Sequence, residues 1–185
     1  MVIAMISDFS FAKECFDYID GGLVWKERPA HHFKSERAQK SFNTKHKGKK
    51  AGTKMKRKCG NFYLKVTLDG QQTGAHRVVW LLHHGDWPKN EIDHVNGDSL
   101  DNRIENLRDV TKSENMRNTK ISKRNNSGVV GVRFVKPREG YWTADIGVDG
   151  RSIGLGSFKT FDEAVKARKD AERKYGYHEN HGRAF

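Results

Sequence analysis

Asp93, His94, Asn106 and Asn115 lie within 23 residues of one another, in an order that suits metal-assisted cleavage of a phosphodiester. A carboxylate oxygen from Asp93 and an amide carbonyl oxygen from Asn115 are hard ligands of the kind Mg²⁺ or Mn²⁺ takes. Together they bring one negative charge. A divalent cation held this way stays net positive and keeps open positions for water and phosphate oxygens. His94, whose ordinary pKa is about 6.5, can take the proton from an attacking water near neutral pH.

The surrounding elements must bring these groups together. Asp93 and His94 close a short extended run, and neighbours on a regular strand point to opposite faces. Both reach one site only where the strand ends, bulges or twists, and Asn96-Gly97 immediately after is a turn signal that permits this. Thr111 followed by Glu114 is a capping box, so a helix starts there and Asn115 projects from its first turn. Upstream, Asn61 to Leu68 is rich in strand formers and closes at an Asp69-Gly70 hairpin turn. Ala75 to His84 then reads as a buried helix, ended by Gly85 and Pro88, that braces the motif.

The series H-R-V-V-W, I-D-H-V-N-G-D, D-N-R-I-E-N-L-R and T-K-S-E-N-x-x-N resembles the HNH nucleases of bacteriophage homing-endonuclease type, built on a ββα-metal core. The resemblance spans roughly residues 18 to 120, with the motif itself at 91–118. It implies that His94 is the general base, that Asp93 and Asn115 bind the metal, and that Asn106 holds the loop positioning His94. Asn115 stands where the family's usual final His falls. His76 and Arg77 match a His-Arg pair of the phage sequences and can orient the site or touch DNA. His83-His84 beside Asp86 read as surface histidines, since no further ligand has the required spacing.

Of 185 residues, 35 are Lys or Arg and 23 Asp or Glu, a formal net charge of +12, which points to a polyanionic partner. Basic residues crowd the stretch from Lys34 to Lys58, where only Glu36 opposes them. Such a run replaces counterions along a nucleic-acid backbone. Lys49, Lys54, Lys56, Arg57, Arg77 and Arg117 are therefore candidate DNA contacts. Phe9 to Tyr18 reads as a short amphipathic helix and Leu23 to Lys26 as a strand. Cys15 and Cys59 support neither a structural zinc site nor a disulfide framework. The opening MVIAMI is too short for a signal-peptide core, and no long apolar run follows. These features fit a cytoplasmic protein, phage-encoded and acting in a bacterial host.

Residues 121–127 are polar and make the best boundary between a first domain, 1–120, and a second, 128–185. Strands are expected at Val129 to Val135, Tyr141 to Val148 and Arg151 to Phe158, with a turn at Pro137 to Gly140 and a hairpin at Asp149-Gly150. A helix from Phe161 to Tyr175 follows, with Thr160 and Glu163 as capping box and Ala164, Ala167, Ala171 and Tyr175 facing the sheet. S-G-V-V-G-V-R-F, Y-W-T-A-D-I and L-G-S-F-K-T-F-D-E-A resemble the plant ethylene-response-factor type of DNA-binding domain. That resemblance implies major-groove contacts from Arg133 and Trp142, with Arg151 nearby and Lys136 or Arg138 at the turn. Gly154 stands where the plant domains carry a second contacting Trp.

The expected fold class is α+β: a small β-rich basic region, a ββα-metal core, then a three-stranded antiparallel sheet with one helix. The expected activity is Mg²⁺- or Mn²⁺-dependent hydrolysis of double-stranded DNA, one site per chain favouring a nick. No dimer-forming stretch is evident, so the chain is expected to be a monomer or weak dimer. A non-catalytic DNA-binding protein and a nuclease of restriction or packaging type are the alternatives.

Overall fold

The aromatic residues Phe16 and Tyr18 recur with a period of two, which is a strand's period rather than a helix's. Accordingly the first helix, α1 (Phe9–Cys15), stops short of Tyr18, and β1 (Phe16–Ile19) turns at Asp20-Gly21 to pair antiparallel with β2 (Gly22–Trp25). The computed structural model describes residues 9–57, 60–136 and 140–183. The expected roles of Lys58, Cys59 and Arg138 fall outside them.

The chain divides into two compact units, Met1–Asp109 and Val110–Phe185. In the first, α2 (Glu36–His46) runs through the basic stretch that the sequence marked only by its charge. Ser35 caps it by accepting from the Ala38 N–H at 3.3 Å, and its apolar anchor is Phe42, whose ring meets Trp25 edge-on at 5.1 Å. Strands β3 (Thr53–Lys56), β4 (Phe62–Leu68) and β5 (Gln71–Gly74) form an antiparallel sheet. Helix α3 (Ala75–His84) follows at once, with Val78, Val79 and Leu81 at most 1% exposed. They join Ala12, Cys15, Phe16, Leu23, Val66 and Leu68 in one apolar core. Strands β6 (Glu91–His94) and β7 (Leu107–Val110) form a separate two-stranded sheet whose Ile92 and Leu107 reach that core.

The second unit begins with a short helix, α4 (Lys112–Met116), capped by the reciprocal Thr111 and Glu114 bonds expected from the sequence. Strands β8 (Val132–Val135), β9 (Tyr141–Val148) and β10 (Arg151–Phe158) make an antiparallel sheet in the order β10-β9-β8. Strand β8 is shorter than the expected Val129 to Val135 because Gly131 leaves extended geometry at φ +73°. A Cβ there would lie 2.3 Å from the Asp145 carbonyl oxygen, so only glycine admits the approach. Helix α5 (Phe161–Lys174), with Thr160 and Glu163 as its capping box, buries Ala164 and Ala171 as expected. Between them it buries Arg168 in place of Ala167. Arg168 is tolerable there because Nε donates to Glu172 at 2.9 Å and Nη1 to the Asp145 carbonyl.

The polar stretch 121–127 lies within the second unit of this division. Its start is tied to the chain's last described residues. The Ile121 N–H donates to the Arg183 carbonyl at 3.0 Å, and the Gly182 N–H to the Thr119 carbonyl at 2.8 Å. Arg183 Nη1 donates to both oxygens of Asn118 at 2.8 Å.

Candidate active site

Strand β6 ends at His94, where the chain turns and the Gly97 N–H donates to the His94 carbonyl at 2.8 Å. Ile92, Asp93 and His94 are all buried. The His94 Nε2 lies 2.9 Å from Asn102 Oδ1, an atom that can only accept, so the proton sits on Nε2 and the lone pair on Nδ1. Burial pushes this imidazole below its ordinary pKa, against the opposing pull of the Asn102 bond and the Asp93 charge. His94 is therefore neutral at pH 7, the form a general base requires.

Asn106 secures the loop that follows. Its Oδ1 accepts from the Asn96 N–H at 2.9 Å and its Nδ2 donates to the Asp101 carbonyl at 2.7 Å, while the Val95 N–H donates to the Asn106 carbonyl. Asn96 adds two bonds, from Nδ2 to Asp101 and from the Asp98 N–H to Oδ1. Arg103 holds the Asp101 carboxyl down at a pKa of about 2. The loop from 95 to 106 is thus braced by its own side chains, and Asn102, 2% exposed, is delivered from it to His94.

Two further neighbours complete the site. Arg108 on β7 donates Nε and Nη2 to Asp93 Oδ2 at 2.9 and 2.6 Å, neutralising the carboxylate. His76, at the start of α3, places its ring 5.3 Å from that of His94. Burial first, then the His94 and Arg57 charges, lower the His76 pKa to about 3. Gly74 makes room for it, since a Cβ there would lie 2.4 Å from His76 Cε1.

Asp93, His94 and Asn106 thus share the first unit with Asn102 and Arg108, whereas Asn115 lies on α4 in the second. The role of Asn115 as a ligand rests on the sequence resemblance. Asn102 and Arg108 were not singled out in the sequence, although both stand inside the D-N-R-I-E-N-L-R stretch. The sequence offered only an Asn eight residues after a candidate base, and its burial is seen in the structure alone.

Among the described residues, Glu14, His31 and His32 also bring metal-type donors together. Arg28 Nε donates to His32 Nδ1 at 3.1 Å, which leaves the proton on Nε2, the atom 2.8 Å from Glu14. A protonated Nε2 offers no lone pair to a metal, so the trio reads as an acid–histidine contact.

The candidate DNA contacts have varied surroundings. Lys54 and Lys56 are exposed on β3 and stack over the Phe62 ring, Arg57 stacks over Tyr63, and Lys49 is exposed. Arg77 donates to the Asn90 and Pro88 carbonyls at 3.1 and 3.4 Å, bracing the chain ahead of β6. In the second unit Arg117 pairs with Asp149 and stacks over Tyr177. Arg133 is exposed and pairs with Asp145 at 2.7 Å, and Lys136 is exposed. Trp142 packs between Phe134 and Phe161, against the helix side of the sheet. Arg151 pairs with Val148 in register, which places it on that same side by strand alternation.

Residues 73–117 match the HNH endonuclease family. An uncharacterized HNH endonuclease of Acanthamoeba polyphaga mimivirus is 38% identical over 100 residues, 50% of this chain and 25% of that protein. Protein 3.8 of Escherichia phage T7 is 36% identical over 77 residues, 41% of this chain and 63% of that protein. The chain thus spans less than two thirds of either relative. No solved structure matches.

Proposed function

We propose that the protein is a metal-dependent DNA endonuclease of homing type that nicks one strand at a site chosen by its second unit. The observation that carries this reading is the His94–Asn102 pair, a buried neutral imidazole with its tautomer fixed, one residue from a carboxylate and held in a loop braced by Asn106. His94 Nδ1 takes a proton from water as the water oxygen joins phosphorus and the P–O bond breaks. Asn102 holds the ring and keeps the other proton on Nε2.

Asp93 and Asn115 are the metal ligands in this reading. Their oxygens suit Mg²⁺ or Mn²⁺, and the cation, when bound, supplies positive charge for the phosphate and leaving oxygen. Arg108 already supplies a positive charge at Asp93, so metal and guanidinium compete for Oδ2. The sheet of the second unit is the DNA-reading module by its resemblance, with Arg133, Lys136 and Arg138 as its contacts, while Trp142 and Arg151, on the helix side, support the sheet from behind. The basic stretch with Lys49, Lys54, Lys56 and Arg57 adds backbone affinity, with Arg77 and Arg117 as further contacts. Viral relatives fit action inside an infected host cell.

A supercoiled-plasmid assay tests the reading, comparing wild type and His94→Ala with Mg²⁺ and with EDTA. Metal-dependent open circles from wild type alone are expected, with about 10²- to 10⁴-fold loss in the variant. Linear product would replace the nick with paired cuts. A shifted but intact plasmid under every condition would leave a binding protein without catalysis.

A further inference from the structure

Between β2, α2 and the outer side of the β3-β4-β5 sheet lies an open cavity whose walls include Trp25, Arg28, Phe42, Lys50, Lys65 and Asp69. Arg28 is held there with unusual firmness for an arginine. Its guanidinium lies 5.0 Å from the centroids of Phe33 and Phe42 and 5.6 and 5.9 Å from those of Phe11 and Trp25. Nε donates to His32, and the residue's backbone N–H and carbonyl are both bonded by Asn43. Among the described residues no carboxylate pairs with Arg28, Lys50 or Lys65. Three cations, of which Arg28 is held in place, therefore line the cavity with one acid, Asp69. His46, also in the wall, is pushed toward its neutral form by burial and by Lys45 and Lys49.

A cation whose fork is pre-oriented by aromatic faces loses little entropy on engaging a planar or tetrahedral oxyanion. The excess of positive charge selects an anion, and the rings beside it offer apolar surface to a sugar or base. We propose that this cavity is a binding site for a phosphodiester of the nucleic-acid strand, separate from the residues around His94, with Arg28, Lys50 and Lys65 on the phosphate. The proposal rests on the nucleic-acid reading above and adds residues outside the Lys49, Lys54, Lys56 and Arg57 group.

The test is binding in EDTA, so that cleavage plays no part. Fluorescence anisotropy with a labelled duplex gives the slope of log K against log[salt] for wild type, Lys50→Gln/Lys65→Gln and Arg28→Lys. Among the described residues neither lysine has an ion pair to lose, so the double variant is expected to keep its fold, which circular dichroism checks. It is expected to bind more weakly with a slope shallower by about two, since each lost phosphate contact removes roughly one unit. Arg28→Lys keeps the charge but not the fork, and is expected to lower affinity with the slope nearly unchanged. Inorganic phosphate is the control ligand, read by tryptophan fluorescence. Equal slopes and affinities in wild type and double variant overturn the site while leaving the nuclease reading standing. Quenching by phosphate alone, with no effect of the variants on duplex binding, also overturns it in favour of a small-anion site. Failure of wild type to bind any duplex overturns both readings.

Discussion

In the proposed reaction Asn102 acts without touching the reacting atoms, because it decides which nitrogen of His94 carries the proton. Deleting its side chain leaves a buried N–H without its acceptor, a cost of about 1–3 kcal/mol, which falling on the transition state would lower kcat by roughly 5- to 150-fold. A merely structural residue would leave the pH profile in place, and Asn102 will not. Its bond favours the protonated ring, so Asn102→Ala should move the acidic limb of kcat to lower pH. Asn102→Asp keeps an acceptor and adds a negative charge, and should move that limb to higher pH. Cleavage rates on a nicked-plasmid scale between pH 5 and 8 decide the matter, and superimposable limbs in all three proteins would end the positioning role. Residues of this type are hard to see in a sequence, since Asn102 lies in a loop of Asn and Asp residues and only burial sets it apart. His94 and Asp93 stood out because their chemistry is rare and adjacent.

Local signals in the chain were legible wherever one short-range interaction decides the element. The capping boxes at Thr111 and Thr160 start α4 and α5 where their spacing says, and the Asp69-Gly70 and Asp149-Gly150 turns join the strands expected to flank them. Helix α3 is bounded by Ala75 and His84, as its apolar periodicity requires. Placements that depend on what a segment packs against were not legible, even where that partner is near in sequence. Strand β1 exists because Gly22–Trp25 lies opposite it, and Arg168 faces inward because Glu172 and the Asp145 carbonyl receive it. The same is true of the tail, whose pairing with residues 117–121 joins segments more than 60 positions apart. That pairing follows directly on α4 and bonds three amides, those of Ile121, His178 and Gly182. Deleting residues 177–185 should therefore raise hydrogen exchange at the Ile121 amide by about tenfold or more, the equivalent of 1.4 kcal/mol of lost protection. Unchanged exchange in the shortened chain would show that the stretch after α4 is ordered without the tail.

Acid sensitivity belongs to the whole molecule, because histidines held neutral occur in both units. His76, His94 and His181 all have folded pKa values below 6.5, burial being the first cause in each, and His76 is lowered to about 3. A depressed folded value means that the unfolded chain binds the proton first as the pH falls. Stability is therefore complete above about pH 6.5 and declines below it, His76 alone contributing a slope of about 1.4 kcal/mol per pH unit until its own folded value is reached. Carboxylates enter later, since Asp101, held at about 2 by Arg103, loses its contribution only below the ordinary 3.8. The window between pH 6.5 and 4 thus belongs to the histidines, and each proton taken up there adds to a net charge already at +12. Urea midpoints at pH 7.5, 6 and 5 should fall in that order for wild type. His76→Gln, neutral throughout, should start lower at pH 7.5, where the native packing around the ring is lost, and then fall less steeply. Parallel lines for the two proteins would mean that folded His76 takes up its proton as readily as the unfolded chain does, which would place a positive charge beside His94 below about pH 6.5 and weaken its assignment as the base.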